Sequence, residues 1–484
     1  KTNTMLKKYN FSNRIWLPAI LFILVLSSCK KDFLDVVPID RIPKQEFYKT
    51  EADLTAAVYG AYAAQRGMYT GGELPLYNLE ETRSDNTNED LGRQTEHKAV
   101  DNFTVQSGNT SITGMWGANY NCINLCNAII DRAPAIQMDE TRKNQMIGEA
   151  LFIRAHAYFL LVQDYGGLPL RLKETVSLSG DNNLARSPVD SVYLQIISDL
   201  QTAAASLPAS YTGSDIGRAT SYAANALLGK VELQKGDKAA AVTALRKVVF
   251  TGTPYSLLPN YADLWNPTTK NSPESIFELQ FLPPLNGSPF WNYFAPATLA
   301  IPGGTNGSTA PNTPTKDLID AYEPNDTRLA ASIAYDPGGT PYILKFKDPA
   351  VAVGNDANNN FPVIRYADAL LSLAEALGET PESYDLINEV RNRAHLGPIS
   401  AATPGTFIDK VMHERQVELA FECHRWHDLL RLDPSETLSI MNAHLAREFP
   451  GNNIVIDAHN LLAPLPDTEI QTNSLAKQNP GYVQ

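Results

Sequence analysis

The sequence predicts a mostly α-helical fold, built as a tetratricopeptide-like scaffold of helical pairs with long irregular loops and few short strands. Three observations predict it. Apolar residues recur at helical spacing along much of the chain. One unit, residues 221–249, carries the small residues, turn glycine and apolar spacings of the ~34-residue tetratricopeptide repeat. The stretches between helical blocks are rich in Pro, Gly and Asn, which interrupt helices.

The chain has 484 residues, 43% of them hydrophobic and 19% charged, enough to bury a large core. Its net charge of −13 argues against a nucleic-acid partner, which needs a basic footprint. Four cysteines in this length exclude a disulfide scaffold and a Cys-rich metal domain.

The first 28 residues read as a leader. They hold Lys1, Lys7, Lys8 and Arg14 and no acid, followed by an apolar run over residues 15–26. That run is shorter than the ~20 residues a membrane span needs and has the form of a secretory signal. Met5 is the expected translation start. Leu26-Ser27-Ser28-Cys29 resembles a bacterial lipobox, with cleavage before Cys29 and attachment of three acyl chains to that residue; an ordinary signal peptide with an incidental cysteine is the alternative. Three acyl chains exceed the two signals that stable anchoring on a bilayer needs. Loss of the leader takes the net charge from −13 to −17.

Helices follow in order. Residues 51–66 carry Leu54, Val58, Tyr59 and Tyr62; residues 116–130 carry Trp116, Tyr120, Ile123, Ala128 and Ile130. Cys122 and Cys126 lie i,i+4 in the second of these, where both Cβ atoms point the same way, so they are read as small core hydrophobes. Residues 145–164 are apolar nearly all round, as in a helix central to a stack, and stop at Gly166-Gly167 with Pro169 beyond. In residues 221–249, Gly229 lets two helices approach and Gly236 turns the chain, while Asn225 replaces a usual large apolar residue. Further helices are predicted over 366–377, 381–394, 406–421 and 424–432, and repeats of this kind need neighbours to bury their faces. Residues 275–282 alternate and predict a short strand. Residues 71–112, 283–316 (seven prolines, four glycines) and 336–362 are predicted irregular.

The order of signatures resembles the SusD/RagB family. Lys30-Lys31-Asp32-Phe33-Leu34-Asp35 follows Cys29. Residues 148–159 read Gly-Glu-Ala-Leu-Phe-Ile-Arg-Ala-His-Ala-Tyr-Phe, closing with Tyr165-Gly166-Gly167-Leu168-Pro169-Leu170. Phe361-Pro362-Val363-Ile364-Arg365-Tyr366-Ala367-Asp368 leads to Glu375-Ala376, and residues 387–394 read Ile-Asn-Glu-Val-Arg-Asn-Arg-Ala. Glu414-Arg415, Glu418-Leu419, Glu422, Arg425-Trp426 and Asp428-Leu429 come next, and the tail holds Leu465-Pro466, Glu469-Ile470, Asn473 and Gln478-Asn479-Pro480-Gly481-Tyr482. Cys423 stands where the family usually has glycine, and His427 where an aromatic is common.

The resemblance implies a cell-surface lipoprotein of the outer membrane, anchored through Cys29. It captures a nutrient, usually an oligosaccharide, and sits over a SusC-like TonB-dependent transporter without catalysing a reaction. It implies no nucleic-acid partner, no cofactor and a single domain over residues 29–484. The helical scaffold would occupy roughly 45–260 and 362–435, and the loop-rich binding region roughly 270–362. An alternative is a peptide-binding or protein-interaction tetratricopeptide-type scaffold, since such arrays bind peptides in a groove.

Glu414, Glu418 and Glu422 share a helix face, side by side, whereas glycoside hydrolysis wants two carboxylates across a sugar. With Arg415, Arg425, Asp428 and Arg431 near in sequence they read as a structural ion network. Leu419, Cys423, Trp426 and Leu430 form a core stripe, so Trp426 is expected to be buried. Cys423, His424, His427 and Asp428 resemble metal ligands, but Cys423 points away from His424, and no metal site is predicted. H-E-x-x-H, G-x-S-x-G and P-loop motifs are absent, and Gly303-Gly304 is loop punctuation, so no catalytic residue is predicted.

A sugar offers an apolar face to aromatic rings and a hydroxyl rim to Asp, Asn, Arg and Gln. Phe290-Trp291-Asn292-Tyr293-Phe294 is therefore either the anchor of a long loop or an exposed platform, with Trp291 and Tyr293 favoured as ligand contacts. Arg83, Asp85 and Asn86, with Asn88, form a second candidate; solvated turn chemistry is its alternative.

Overall fold

Polar caps and apolar stripes divide the chain into helices as the local sequence demands. A computed structural model describes residues 47–71, 74–89, 95–176, 183–296, 298–299, 312–350 and 356–483. The expected leader, Cys29 and Gly303-Gly304 lie outside them.

Helix α1 is Glu51–Thr70, opened by a capping box in which Thr50 and Asp53 satisfy each other's backbone N–H. Leu54, Val58, Ala61, Met68 and Tyr69 face the core. Tyr59, placed in the stripe by sequence, is 49% exposed, because five residues past Leu54 is well round the helix. Helices α2 (Thr110–Arg132) and α3 (Glu140–Tyr165) follow, capped by Asn109 and Asp139. From Gly148 to Tyr165 every residue of α3 is buried, the central position its composition predicted. It ends at Gly166, whose φ of 74° suits glycine.

Helix α4 (Val189–Ser206) was missed by the sequence reading. It packs between α3 and α5 (Ser221–Lys235), burying Val192, Ile196 and Leu200. Helix α6 is Lys238–Leu245, and the α5–α6 pair is the repeat read from sequence. Gly236 caps α5 at φ 91°, and a Cβ on Gly229 would stand 2.4 Å from Leu245 Cγ. The glycine is what allows that approach.

Strand β1 (Ser275–Leu279) pairs antiparallel with β2 (Phe361–Arg365). Its expected alternation fails at one point: Ile276 and Phe277 are both buried, because the register shifts between Ser275 and Phe277. Helices α7 (Tyr366–Leu377), α8 (Pro381–Arg393) and α9 (Phe407–Glu418) come next. The helix expected over 406–421 stops at Glu418. The chain then turns through Phe421 and Cys423, both at positive φ (68° and 60°), before α10 (Arg425–Leu429). Cys423 thus occupies a left-handed position that favours glycine. Helix α11 (Pro434–Glu448) was also missed by the sequence reading.

Residues 71–112 were expected to be irregular. The described part instead holds the helical turn Pro75–Tyr77, a π-helical turn Asn78–Thr82 and the helix Thr95–Asp101, and much of it is buried. Polar composition hid this, because polar side chains such as Asp85, Asn86 and Asn88 pair with other protein groups rather than with water. Pro341–Ile343, at the start of the third stretch, pairs as a hairpin with Ile333–Tyr335 just before it. The fold is mostly α-helical with few short strands. No helix among the described residues is long and apolar enough to cross a membrane.

Candidate functional site

The run Phe290–Phe294 folds as one helical turn, which puts its first and last rings on the same side. Phe290 and Phe294 are fully buried against Tyr77, Phe346 and Phe361. The Phe290 ring lies 4.9 Å from that of Phe361, and Phe346 stacks on Phe361 at 5.6 Å. Trp291 is 4% exposed and packs with Ala295, Tyr342 and Ala357 in a separate apolar cluster. Asn292 is buried as well. An open platform at Phe290, Trp291 and Asn292 is therefore not what the structure holds: the turn anchors its loop, because strand β2 and Phe346 offer it aromatic partners. Tyr293, half-buried, is the ring of this run with surface left to solvent.

The second candidate is also interior. Arg83 is buried with its guanidinium over the Trp426 ring at 4.6 Å, and it donates to the Asn460 carbonyl. Asp85 receives Arg425 Nε at 2.7 Å and Nη2 at 2.8 Å. Burial pushes the Asp85 carboxyl up, but the Arg425 charge outweighs it and holds the group below its ordinary range. Asn86 donates to Glu81 at 3.0 Å and accepts from Gln416 at 3.1 Å. These residues lock the early segment to the C-terminal helices, so neither the open loop nor the solvated turn expected from sequence describes them. Asn88 donates to Glu448 at 2.7 Å.

The carboxylates of α9 form the ion network read from sequence, with partners the sequence did not name. Glu414 takes Arg328 at 2.6 Å and Arg391 at 3.1 Å. Glu418 takes Arg328 at 3.0 Å, together with Arg365 and Arg393. Glu422, beyond the helix end, takes Lys345 at 2.8 Å and Arg365 at 2.7 Å. Burial pushes Glu418 up, and three guanidiniums overcome that, holding it far below the ordinary carboxylate range. A carboxylate committed to several cations is a poor proton donor, and none of these faces another across a cleft. Trp426 is fully buried, as its stripe predicted.

The Cys423, His424, His427 and Asp428 set does not assemble. Cys423 is buried in the main core, Asp428 pairs with Arg415 through two 2.9 Å contacts, and His424 Nδ1 lies 3.4 Å from Lys230 Nζ. His427 turns instead toward Glu80 and Asp164. Sequence spacing gave no sign of this grouping, which draws on three distant segments. Cys122 and Cys126 are buried free thiols.

Open concavities lie elsewhere. One, of about 580 Å³, is lined by Tyr120, Asn121, Asn124, Asn127, Arg171 and Asn473. Its amides are partly engaged: Asn127 donates to the Arg171 and Lys173 carbonyls, and Asn124 accepts from the Thr175 N–H. A second, of about 320 Å³, lies beside Tyr211, Arg218, Tyr255 and Asn271. An aromatic edge among amides and a guanidinium is chemistry that suits a sugar.

Comparison with known proteins follows the same architecture. A family described as "Starch-binding associating with outer membrane" matches residues 32–233, and the "SusD family" matches residues 337–482. SusD-like protein P2 of Formosa agariphila is 28% identical, across 96% of this chain and 98% of its own length. A SusD-like protein of Bacteroides ovatus is 25% identical across 87% of this chain and 83% of its own. Among solved structures, a laminarin-binding SusD-like protein superposes with a TM-score of 0.76 at 26% identity, covering 90% of this chain and 100% of that one. A SusD superfamily protein from Bacteroides vulgatus gives 0.77 at 26% identity with the same coverage. Sequence signatures and family matches run from residue 32 to the C-terminal tail, the helical architecture of the described residues agrees with them, and the chain belongs to the SusD/RagB family.

Proposed function

We propose that this protein is a glycan-binding receptor of the outer membrane. It holds an oligosaccharide without cutting it and passes it to a SusC-like TonB-dependent transporter. Acyl chains on Cys29 would tether it at the cell surface. The observation that carries the reading is the likeness to a laminarin-binding SusD-like protein over 90% of this chain and the whole of that one. The family description, with its starch binding and outer-membrane association, supports the location. The lipobox at Leu26-Ser27-Ser28-Cys29 supports the anchor. The buried carboxylates Glu414, Glu418 and Glu422 are tied up by Arg and Lys, which supports binding without hydrolysis.

An open site with few stacking contacts gains little over hydroxyl desolvation, so affinity of about micromolar to millimolar is expected. The test is native gel electrophoresis of the purified chain through laminarin, starch or xyloglucan, with a parallel assay for reducing ends. Retardation by one polysaccharide with no turnover is the expected result. Release of reducing ends at turnover rates, or indifference to all glycans together with saturable peptide binding, overturns the reading.

A further inference from the structure

Glu80, Asp164 and His427 meet in the interior from three segments: the π-helical turn, the last turn of α3, and α10. One ligand atom from each lies within 4.8 Å of the other two. Their exposures are 1%, 0% and 5%. His427 Nε2 is 3.2 Å from Glu80 Oε1. Even so, both His427 nitrogens, both Asp164 carboxylate oxygens and Glu80 Oε1 make no hydrogen bond among the described residues.

Their sequence neighbours behave differently. Asp428, next to His427, takes Arg415 through two contacts of 2.9 Å. Glu81, next to Glu80, accepts the Phe421 N–H at 2.8 Å and the Cys423 N–H at 3.0 Å. Buried polar atoms are nearly always satisfied, and a carboxylate pair left without donors is costly. Glu80 and His427 also line a cavity of about 50 Å³, more room than a water molecule needs.

We propose that Glu80, Asp164 and His427 form a binding site for one divalent first-row transition ion of the zinc class. Two carboxylates and a neutral imidazole offer two oxygens and a nitrogen with a net charge that balances a dication. With metal–ligand bonds of about 2.0–2.2 Å, a tetrahedral ion needs donors roughly 3.3 Å apart. His427 Nε2 and Glu80 Oε1 already stand 3.2 Å apart, and the ion would draw in Asp164, whose donor lies within 4.8 Å of both. The cavity supplies a water for the fourth position. Calcium fits less well, because it prefers six to eight oxygens and has little use for imidazole.

The protonation states agree with that reading. Burial pushes Glu80 well up and Asp164 up to about 7, a direction that a dication beside them would reverse. Burial pushes His427 down to about 4, which leaves its lone pair available. Arg83 is the competing charge, since its guanidinium is felt by Asp164. It is drawn aside by the Trp426 ring and the Asn460 carbonyl. A bound ion would join α3 to α10 and to the early segment that both pack on, a cross-link independent of any glycan.

The experiment uses the full purified chain. After dialysis against EDTA it is titrated calorimetrically with ZnCl2, and separately with MnCl2 and CaCl2, with melting temperature read alongside. The expected result is one saturable zinc ion per chain and a rise in Tm of several degrees. Affinity for zinc should fall by at least about tenfold in Asp164→Asn and in His427→Gln, and calcium should bind at least about tenfold more weakly than zinc. Circular dichroism checks that the variants fold, and Glu80→Gln serves where one does not. Three results overturn the proposal: no saturable zinc binding by the EDTA-treated wild-type chain, unchanged affinity in the folded variants, or calcium binding as tight as zinc.

Discussion

Arg365 grips Glu422 edge-on, Nε donating at 2.7 Å and Nη2 at 3.0 Å, with both side chains buried. The same guanidinium reaches Glu274 through Nη1 at 2.9 Å and also contacts Glu418. Arg365 closes strand β2, Glu274 precedes β1, and Glu418 ends α9. One side chain therefore ties the small sheet to the C-terminal helices.

Removing it should be severe. Arg365→Met takes one of the cations from each of three buried carboxylates, Glu274, Glu418 and Glu422, which costs about 3–5 kcal/mol. Arg246→Ala breaks a pair that is just as well aligned, with contacts of 2.9 and 2.8 Å to Glu382, but half exposed. It should cost less than about 1 kcal/mol. Denaturant unfolding of both variants checks the contrast, and equal losses would mean that burial is not what gives the Arg365 cluster its weight.

Gly229 is set by the Leu245 side chain, which stands where a Cβ would go. Gly229→Ala gains about 1 kcal/mol of helix propensity and loses about 1–3 kcal/mol to overpacking. A net loss of stability is expected. Leu245→Ala alone opens a cavity at a cost of about 2–5 kcal/mol. The double variant should be more stable than the sum of the two losses, a coupling that thermal melts of all four proteins would read.

His156 should make stability depend on acid. Gln65 Nε2 donates to its Nδ1 at 2.9 Å, so the ring proton sits on Nε2, 3.1 Å from the Tyr69 hydroxyl. Burial, and then the Lys230 charge, push the ring down to about 3. The unfolded chain takes up this proton near pH 6.5 and the native chain does not. Stability therefore falls as pH drops through 6.5 and levels off below about 3. Between pH 7 and pH 5 the loss from this group is about 2 kcal/mol. His156→Gln should flatten that part of the profile, and identical slopes in the two proteins would refute the assignment.

Phe290 and Tyr293 should separate folding from binding. Phe290→Ala empties a fully buried site and should cost about 3–5 kcal/mol. Tyr293→Ala removes a half-buried ring and should cost clearly less, while weakening retardation in a polysaccharide gel. If Tyr293→Ala migrates as the wild type does, the stacking surface lies elsewhere, and the Tyr120 and Tyr211 concavities become the next targets.

Cap and period made the helices readable. Residues 366–377 match α7 residue for residue, and the Gly229, Gly236 and Leu245 pattern gave the α5–α6 pair together with the reason for its close approach. Helix α4 escaped although its apolar residues are periodic, and α11 escaped because its polar positions outweigh Met441 and Leu445. The bend after Glu418 escaped because Phe421 and Cys423 sit at positive φ without being glycine.

By itself the sequence determined the helical class, the repeat pair, the family signatures and the ionic character of Glu414, Glu418 and Glu422. Only the tertiary structure decided that Arg83 and Asp85 are held by Trp426 and Arg425, that Phe290 is buried by Phe361, and that Glu80, Asp164 and His427 converge. The division has a physical cause. Helical periodicity and capping act between residues three or four apart, so the local string contains both partners. Whether an arginine or an aromatic ring in a loop meets solvent depends on a side chain hundreds of positions away, and the chain settles that when it packs.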